Sequence, residues 1–376
     1  MRGAVVIGHR GRVCALFCLC LAGAAVVAGR PQPPLRHPPP APRYAEQTLS
    51  VLGPVFHIDR LYRSMQGPFA VQEVRLPVPA NELVWITGFR ASMVLPDGRT
   101  PCDAQFMCHS NLDISGEYHR WLFGQQKLLD DRLVTLSQGQ LALKFPEGFG
   151  IPLLASEPLA LTMQVLNLNL PQPALSVRHR VEIDYVADRD RTCAFRPLFE
   201  VGVFGLVSLE GRPLAYDAEP EDRSGRETLC LPGRAATADE VRDALDQRFA
   251  GHWVVPPGRE VRRTDVTRLM NLPFDTTIHY IAVHLHPFAE SLELRDATDG
   301  RTIFRSRARP LTQGIGLEHV DCFASTAGVP VYVDHTYELV SVYNNTSGQA
   351  QDSMAVMYLY LLDKEFRWPR PAPPQR

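Results

Sequence analysis

The chain lacks several signatures that announce common activities. It has no glycine-rich phosphate loop, no internal repeat of short period and no Gly-x-Ser-x-Gly elbow. Cys108 and His109 are adjacent, and neighbouring side chains on a strand face opposite ways, which argues against a Cys–His protease pair. The carboxylates are scattered, and no pair can be assigned to glycoside hydrolysis. Charge of one sign is missing too. The 39 Lys and Arg against 41 Asp and Glu leave a net charge of -2, so no nucleic-acid partner is expected. Long apolar runs are absent beyond Val13 to Val27, which is itself short for a membrane span.

What is present suits a globular, strand-rich chain. The 376 residues are 45% hydrophobic and 21% charged, enough for two domains with cores, and 26 Gly and 32 Pro favour turns. Residues 1–29 read as a secretory signal: Arg2, Arg10 and Arg12 precede the apolar run, and Val26-Val27-Ala28 supplies small residues for cleavage. The protein is therefore expected to be secreted or periplasmic, with no stable membrane span after cleavage, and monomeric. Residues 30–43 form a proline-rich linker, extended and without ladders.

Short alternating runs broken by turns fill the rest. Ala70 to Val78, Glu82 to Leu95 (two strands around Gly88), Leu141 to Phe145, Leu159 to Leu168 and Val177 to Tyr185 mark a first β-sandwich over 44–190. A second sandwich is expected over 191–365, opening at Pro197 to Val207. Within it Thr237-Ala238-Asp239-Glu240 is a capping box, and Val241, Ala244, Leu245 and Phe249 make one face of a short helix. Residues 366–376 read as a disordered tail. The fold class is thus all-β: two tandem antiparallel β-sandwich (jelly-roll) domains with a short helical insertion in the second. In a secreted chain most of Cys102, Cys108, Cys193, Cys230 and Cys322 should pair, and Cys102 with Cys108 and Cys230 with Cys322 are two of the pairings the count allows.

Chemistry concentrates near the C-terminal end. Ile278 to Phe288 is rich in strand formers and carries His284-Leu285-His286. On a strand both imidazoles share a face and can hold one metal ion. Asp334 to Tyr343 reads as a second strand, Asn344 to Gly348 as a turn, and Met354 to Leu362 as a third strand with Met354, Val356, Tyr358 and Tyr360 on one face. A thioether beside two imidazoles suits copper better than zinc, magnesium or calcium. His252, His279, His319 and His335 are read as core or surface histidines. His335 is placed on its strand beside Tyr337, Leu339 and Tyr343.

The order His-x-His, strand, Tyr-Asn-Asn-Thr-Ser-Gly, then Met opening an aromatic-rich strand resembles the second domain of the type II, ascorbate-dependent copper monooxygenases. Peptidylglycine α-hydroxylating monooxygenase and dopamine β-hydroxylase belong to that family. The resemblance covers roughly Val254 to Asp363. It implies that His284, His286 and Met354 bind the copper that activates dioxygen, with ascorbate as reductant and a small-molecule or peptide substrate. The first domain departs from the pattern. His109 is the one histidine where the family carries a pair, and Leu166 falls where it carries a third. A non-catalytic copper-binding protein and a partner- or glycan-binding β-sandwich are the other expectations.

Overall fold

The computed structural model describes residues 44–127, 129–208, 240–242 and 248–369. The expected signal, the proline-rich linker, Cys230 and the charged residues 217–226 lie outside them. The first half runs β1 (Gln47–Leu52), β2 (Phe56–Ile58), β3 (Phe69–Val74), β4 (Leu83–Val94), β5 (Met107–Asp113), helix α1 (Gly116–Phe123), β6 (Arg132–Ser137), β7 (Ala142–Lys144), β8 (Phe149–Leu154), β9 (Leu159–Val165) and β10 (Leu175–Ala187). The second begins with β11 (Arg196–Phe204), β12 (Val207–Ser208), β13 (Glu240–Arg242), β14 (Arg248–Ala250), β15 (Trp253–Val255), β16 (Gly258–Asp265), helix α2 (Thr267–Met270) and β17 (Thr276–Leu285). It ends with β18 (Ala289–Asp296), β19 (Arg301–Pro310), β20 (Leu317–Val320), β21 (Phe323–Val331), β22 (Tyr337–Asn345), β23 (Gln351–Ser353) and β24 (Ala355–Leu362).

The chain is all-β, as its alternation implies. A four-stranded sheet, β3-β9-β5-β6, belongs to the first half, and a five-stranded sheet, β16-β22-β18-β19-β20, to the second. A ten-stranded sheet serves both, with main path β1-β10-β4-β8-β11-β24-β17-β21. It crosses the expected boundary at 190/191 through a parallel contact, Arg196 opposite Phe149 and Pro197 opposite Gly150. Ser110 on β5 reaches His179 on β10 at 2.8 Å, which ties the two layers of the first half. β24 lies between β11 and β17 and is buried along nearly its whole length. That explains its unbroken apolar run: a strand covered on both faces has no polar side to alternate with.

Several expectations need correction. The helix over 237–249 is not formed at its described ends. Glu240–Arg242 and Arg248–Ala250 pair as antiparallel strands, Val241 opposite Phe249, so a β-branched and an aromatic residue take the ladder that their propensity favours. The two short strands around Gly88 are one strand, β4. Gly88 does not break it; a Cβ there would lie 2.9 Å from Asp184 Oδ2 and from Lys144 Cδ. A helix does form at Gly116–Phe123, where Ser115 Oγ accepts from the Tyr118 N–H and Gly124 closes the end at φ 60°. The expected tail is placed as far as Pro369, and Phe366 packs near Trp85 and Phe123.

The two halves meet across polar as well as apolar contacts. Tyr360 O–H donates to the Leu133 carbonyl at 3.0 Å, and the Phe145 ring packs on Tyr280 and Tyr360. Gln140 Oε1 accepts from the Val283 N–H at 2.8 Å, and both groups are buried. Gln140→Ala leaves that N–H without its acceptor and is expected to lower the unfolding free energy by about 1–3 kcal/mol, read from urea midpoints at constant m-value.

Candidate metal centre

β17 and β24 pair antiparallel with His284 opposite Val356 and Leu285 opposite Ala355. The next step of the same ladder brings His286 opposite Met354, and the His286 N–H donates to the Met354 carbonyl at 3.2 Å. Directly opposed residues in an antiparallel pair share a face. His284, His286 and Met354 therefore project from one face of two neighbouring strands. The same face carries Tyr280 and Tyr360, whose contacts with Gln140, Phe145 and Leu133 show that it is turned toward the first half. Met354 is held at its own backbone, because Tyr343 O–H donates to the same carbonyl at 2.6 Å.

The sequence reading missed two members of this cluster, His252 and Asp352. His252 precedes Trp253, whose ladder partner is Ser353, the neighbour of Met354. The carboxylate of Asp352 stands between two imidazoles: Oδ1 is 3.3 Å from His252 Nδ1 and Oδ2 is 3.2 Å from His286 Nδ1. The His252 and His286 rings are 5.4 Å apart, and the His284 and His286 rings 5.3 Å. Burial pushes the Asp352 carboxyl up, but the charges of His252 and His286 outweigh it and hold the group below the usual carboxylate range. Asp352 and Met354 are two residues apart, a spacing visible in the sequence. That His252 would stand beside them is fixed by the β15–β23 pairing, which no local pattern reveals.

His284 is 5% exposed, and neither of its ring nitrogens has a hydrogen-bond partner among the described residues. Its basicity is well below normal. Burial is the main cause, followed by the charges of His286, His109, His252 and Arg132. The ring is therefore neutral and offers a lone pair. His284 and His286 line a cleft together with Arg63, Ser64, Leu166 and Phe288. Ser64 Oγ reaches His286 Nε2 at 3.3 Å from the first half.

The first-half wall of the cleft is poorer in donors. His109 lies on β5, 1% exposed, with Nδ1 3.3 Å from Asn111 Nδ2 and Nε2 without a hydrogen-bond partner among the described residues. Met107, Cys108 and Leu166 line the cleft there. His119 does not join His109. It bonds Glu157 at 2.8 Å and lines a separate cavity. No disulfide joins Cys102, Cys108, Cys193 and Cys322 in the structure, so the expected Cys102–Cys108 bridge is not formed. His335 sits in the turn before β22 rather than on a strand, and its Nδ1 is 2.7 Å from Asp296. His279 bonds the Ser325 carbonyl, and His319 is exposed beside Asp321.

Copper is the ion that the resemblance implies, and the residues fit it. A buried imidazole with both nitrogens unpartnered is costly unless a ligand engages it. Two imidazoles and a thioether on one face form a soft, nitrogen-rich donor set that suits copper. Asp352 at His286 Nδ1 is the kind of outer carboxylate that orients a ligating histidine.

No protein-family model and no curated protein sequence matches the chain. Among solved structures it is similar to PNGase F, a glycosylasparaginase from Flavobacterium meningosepticum, at 9% identity and a TM-score of 0.36, over 84% of this chain and 96% of that one. It is also similar to the STIV MCP, at 7% identity and a TM-score of 0.31, over 82% and 97%. The major capsid protein P2 from bacteriophage PM2 matches at 10% identity and a TM-score of 0.30, over 85% and 100%.

Burial also sets a pH dependence outside the cluster. It lowers His109 and His179 to about 3 each, aided at His109 by the charge of Arg132. Below the ordinary histidine value the unfolded chain takes up protons that these folded rings refuse, so stability falls as pH drops from about 6.5 toward 3. Each ring contributes up to about 1.4 kcal/mol per pH unit to that slope. Urea midpoints of the metal-free protein between pH 7 and 5 are expected to fall, and less steeply in His179→Asn.

Proposed function

We propose that the protein is a secreted copper-dependent oxidoreductase of monooxygenase type, which hydroxylates a C–H bond of a small-molecule or peptide substrate held in the cleft. His284, His286 and Met354 hold the copper. One observation carries this reading: the β17–β24 register sets Met354 opposite His286, on the face of two buried imidazoles that line a cleft. Bound copper supplies one-electron chemistry with dioxygen, with ascorbate as the reductant by resemblance.

The chain's own residues bind and orient. Leu166, Leu168, Phe288 and Ile315 present apolar surface to the substrate and exclude water, while Arg63, Gln138 and Gln351 offer polar groups that fix its orientation. Ser64 Oγ, 3.3 Å from His286 Nε2, gives up that contact when the nitrogen binds copper.

A second reading is copper binding without turnover. It is favoured by Leu166, buried and apolar on the wall where the resembled family carries a histidine, which leaves His109 without matching imidazoles for an electron relay.

Metal analysis of the mature chain supplied with equimolar copper is expected to find a single copper. His284→Ala/His286→Ala abolishes it, and Met354→Ala weakens Cu(I) binding by about 10-fold or more. Oxygen uptake driven by ascorbate, dependent on that copper, supports the enzyme. Copper without uptake favours the second reading, and a chain that takes no copper sinks both.

A further inference from the structure

We propose that His252, Asp352 and His286 form a second metal site, for a divalent ion of the zinc class, at the Nδ1 side of the His286 ring. This site stands beyond the copper reading and does not rest on it, because its three residues meet without any part played by His284 or the Met354 side chain.

The strands bring the three together. In the β15–β23 ladder Val254 is opposite Asp352 and Trp253 opposite Ser353, so His252 reaches Asp352 diagonally on one face. His286 comes from the other side, its N–H on the carbonyl of Met354, two residues past Asp352. One ligand-capable atom from each of His252, Asp352 and His286 lies within 4.8 Å of the other two. His252 Nδ1 is 3.3 Å from Asp352 Oδ1, and His286 Nδ1 is 3.2 Å from Oδ2. Ligand atoms about 2.0–2.1 Å from a tetrahedral ion stand about 3.3 Å apart, so these spacings need little adjustment to close on one.

Hydrogen bonding leaves the cluster unfinished. Asp352 Oδ2 is buried and, despite its distance from His286 Nδ1, has no hydrogen-bond partner among the described residues. A buried carboxylate oxygen without a donor is costly, and a cation held by it removes that cost. Asp352 and His286 also line the cleft, which gives an ion its way in and leaves a position for water. Two imidazoles and one carboxylate, without sulfur, are donors that zinc takes in sites that keep one position open. His286 then gives Nδ1 to zinc and Nε2 to copper, and with both ions bound its ring proton passes to solvent.

Zinc titration of the full mature chain, metal-free and with no copper present, tests this by competition with a chromogenic chelator. One equivalent is expected in the wild type and in His284→Ala/Met354→Ala, which removes two of the three copper ligands but none of these. Affinity is expected to fall by about 10-fold or more in His252→Gln and in Asp352→Asn, with unchanged circular dichroism. X-ray absorption of the zinc-loaded wild type is expected to show nitrogen and oxygen at about 2.0–2.2 Å and no sulfur at about 2.3 Å. A wild-type chain that takes no zinc overturns the proposal, as does sulfur in the zinc shell, without any variant having to fold. Full zinc affinity in either His252→Gln or Asp352→Asn overturns it too. Zinc lost in His284→Ala/Met354→Ala, with unchanged circular dichroism, gives the ion to the copper ligands and also overturns it. Zinc bound as expected by a chain that takes no copper supports this site and removes the copper reading, whereas copper in a chain that takes no zinc does the reverse.

Discussion

The register between β17 and β24 is the constraint on which the site depends. A slip of one residue in an antiparallel pair sends every side chain to the other face. It would take Met354 off the face that it shares with His284 and His286. The register is secured from three sides. β24 also pairs with β11 from Leu198 to Phe204. Gly205 N–H donates to the Ala355 carbonyl at 2.8 Å just past that ladder. At the end nearest the cleft, Tyr343 and His286 both donate to the Met354 carbonyl. The position of the Met354 backbone is thus set by these bonds, while its side chain is left to its chemistry.

Folding brings polar groups into a place where apolar ones would be more stable. His109, His179 and His284 are buried neutral, with ring nitrogens that have no hydrogen-bond partner among the described residues. Each such atom carries a desolvation penalty that a hydrocarbon of the same shape would avoid. His179 lies between the two layers of the first half, while His284 lies on the face of β17 that is turned toward that half. A ligand that binds only the folded form returns that free energy by linkage.

The fold class was legible because period-2 alternation and frequent turns are local signals, and β10 and β16 alternate in burial along much of their length. The His284/His286 face was legible for the same reason. Its junction with Met354 was reached through resemblance and then through a register that only the paired strands display. His252 and Asp352 escaped because their meeting depends on β15 finding β23, about a hundred residues away. At the described ends of the helix expected at 237–249 a ladder forms instead, Val241 opposite Phe249. His335 was misplaced by the strand boundary: β22 begins two residues later, and the turn hands the imidazole to Asp296.

The sheet that unites the halves passes through a parallel contact only two residue pairs long, between β8 and β11. Cutting the chain at 190/191 would leave β8 as an open edge on one fragment and β11 as an open edge on the other. Both are largely buried, apolar strands, and an uncovered strand of that kind recruits another chain along its free N–H and C=O groups. The short seam is therefore a guard against self-association as much as a hinge point of architecture. It lets each half hide the most adhesive border of the other.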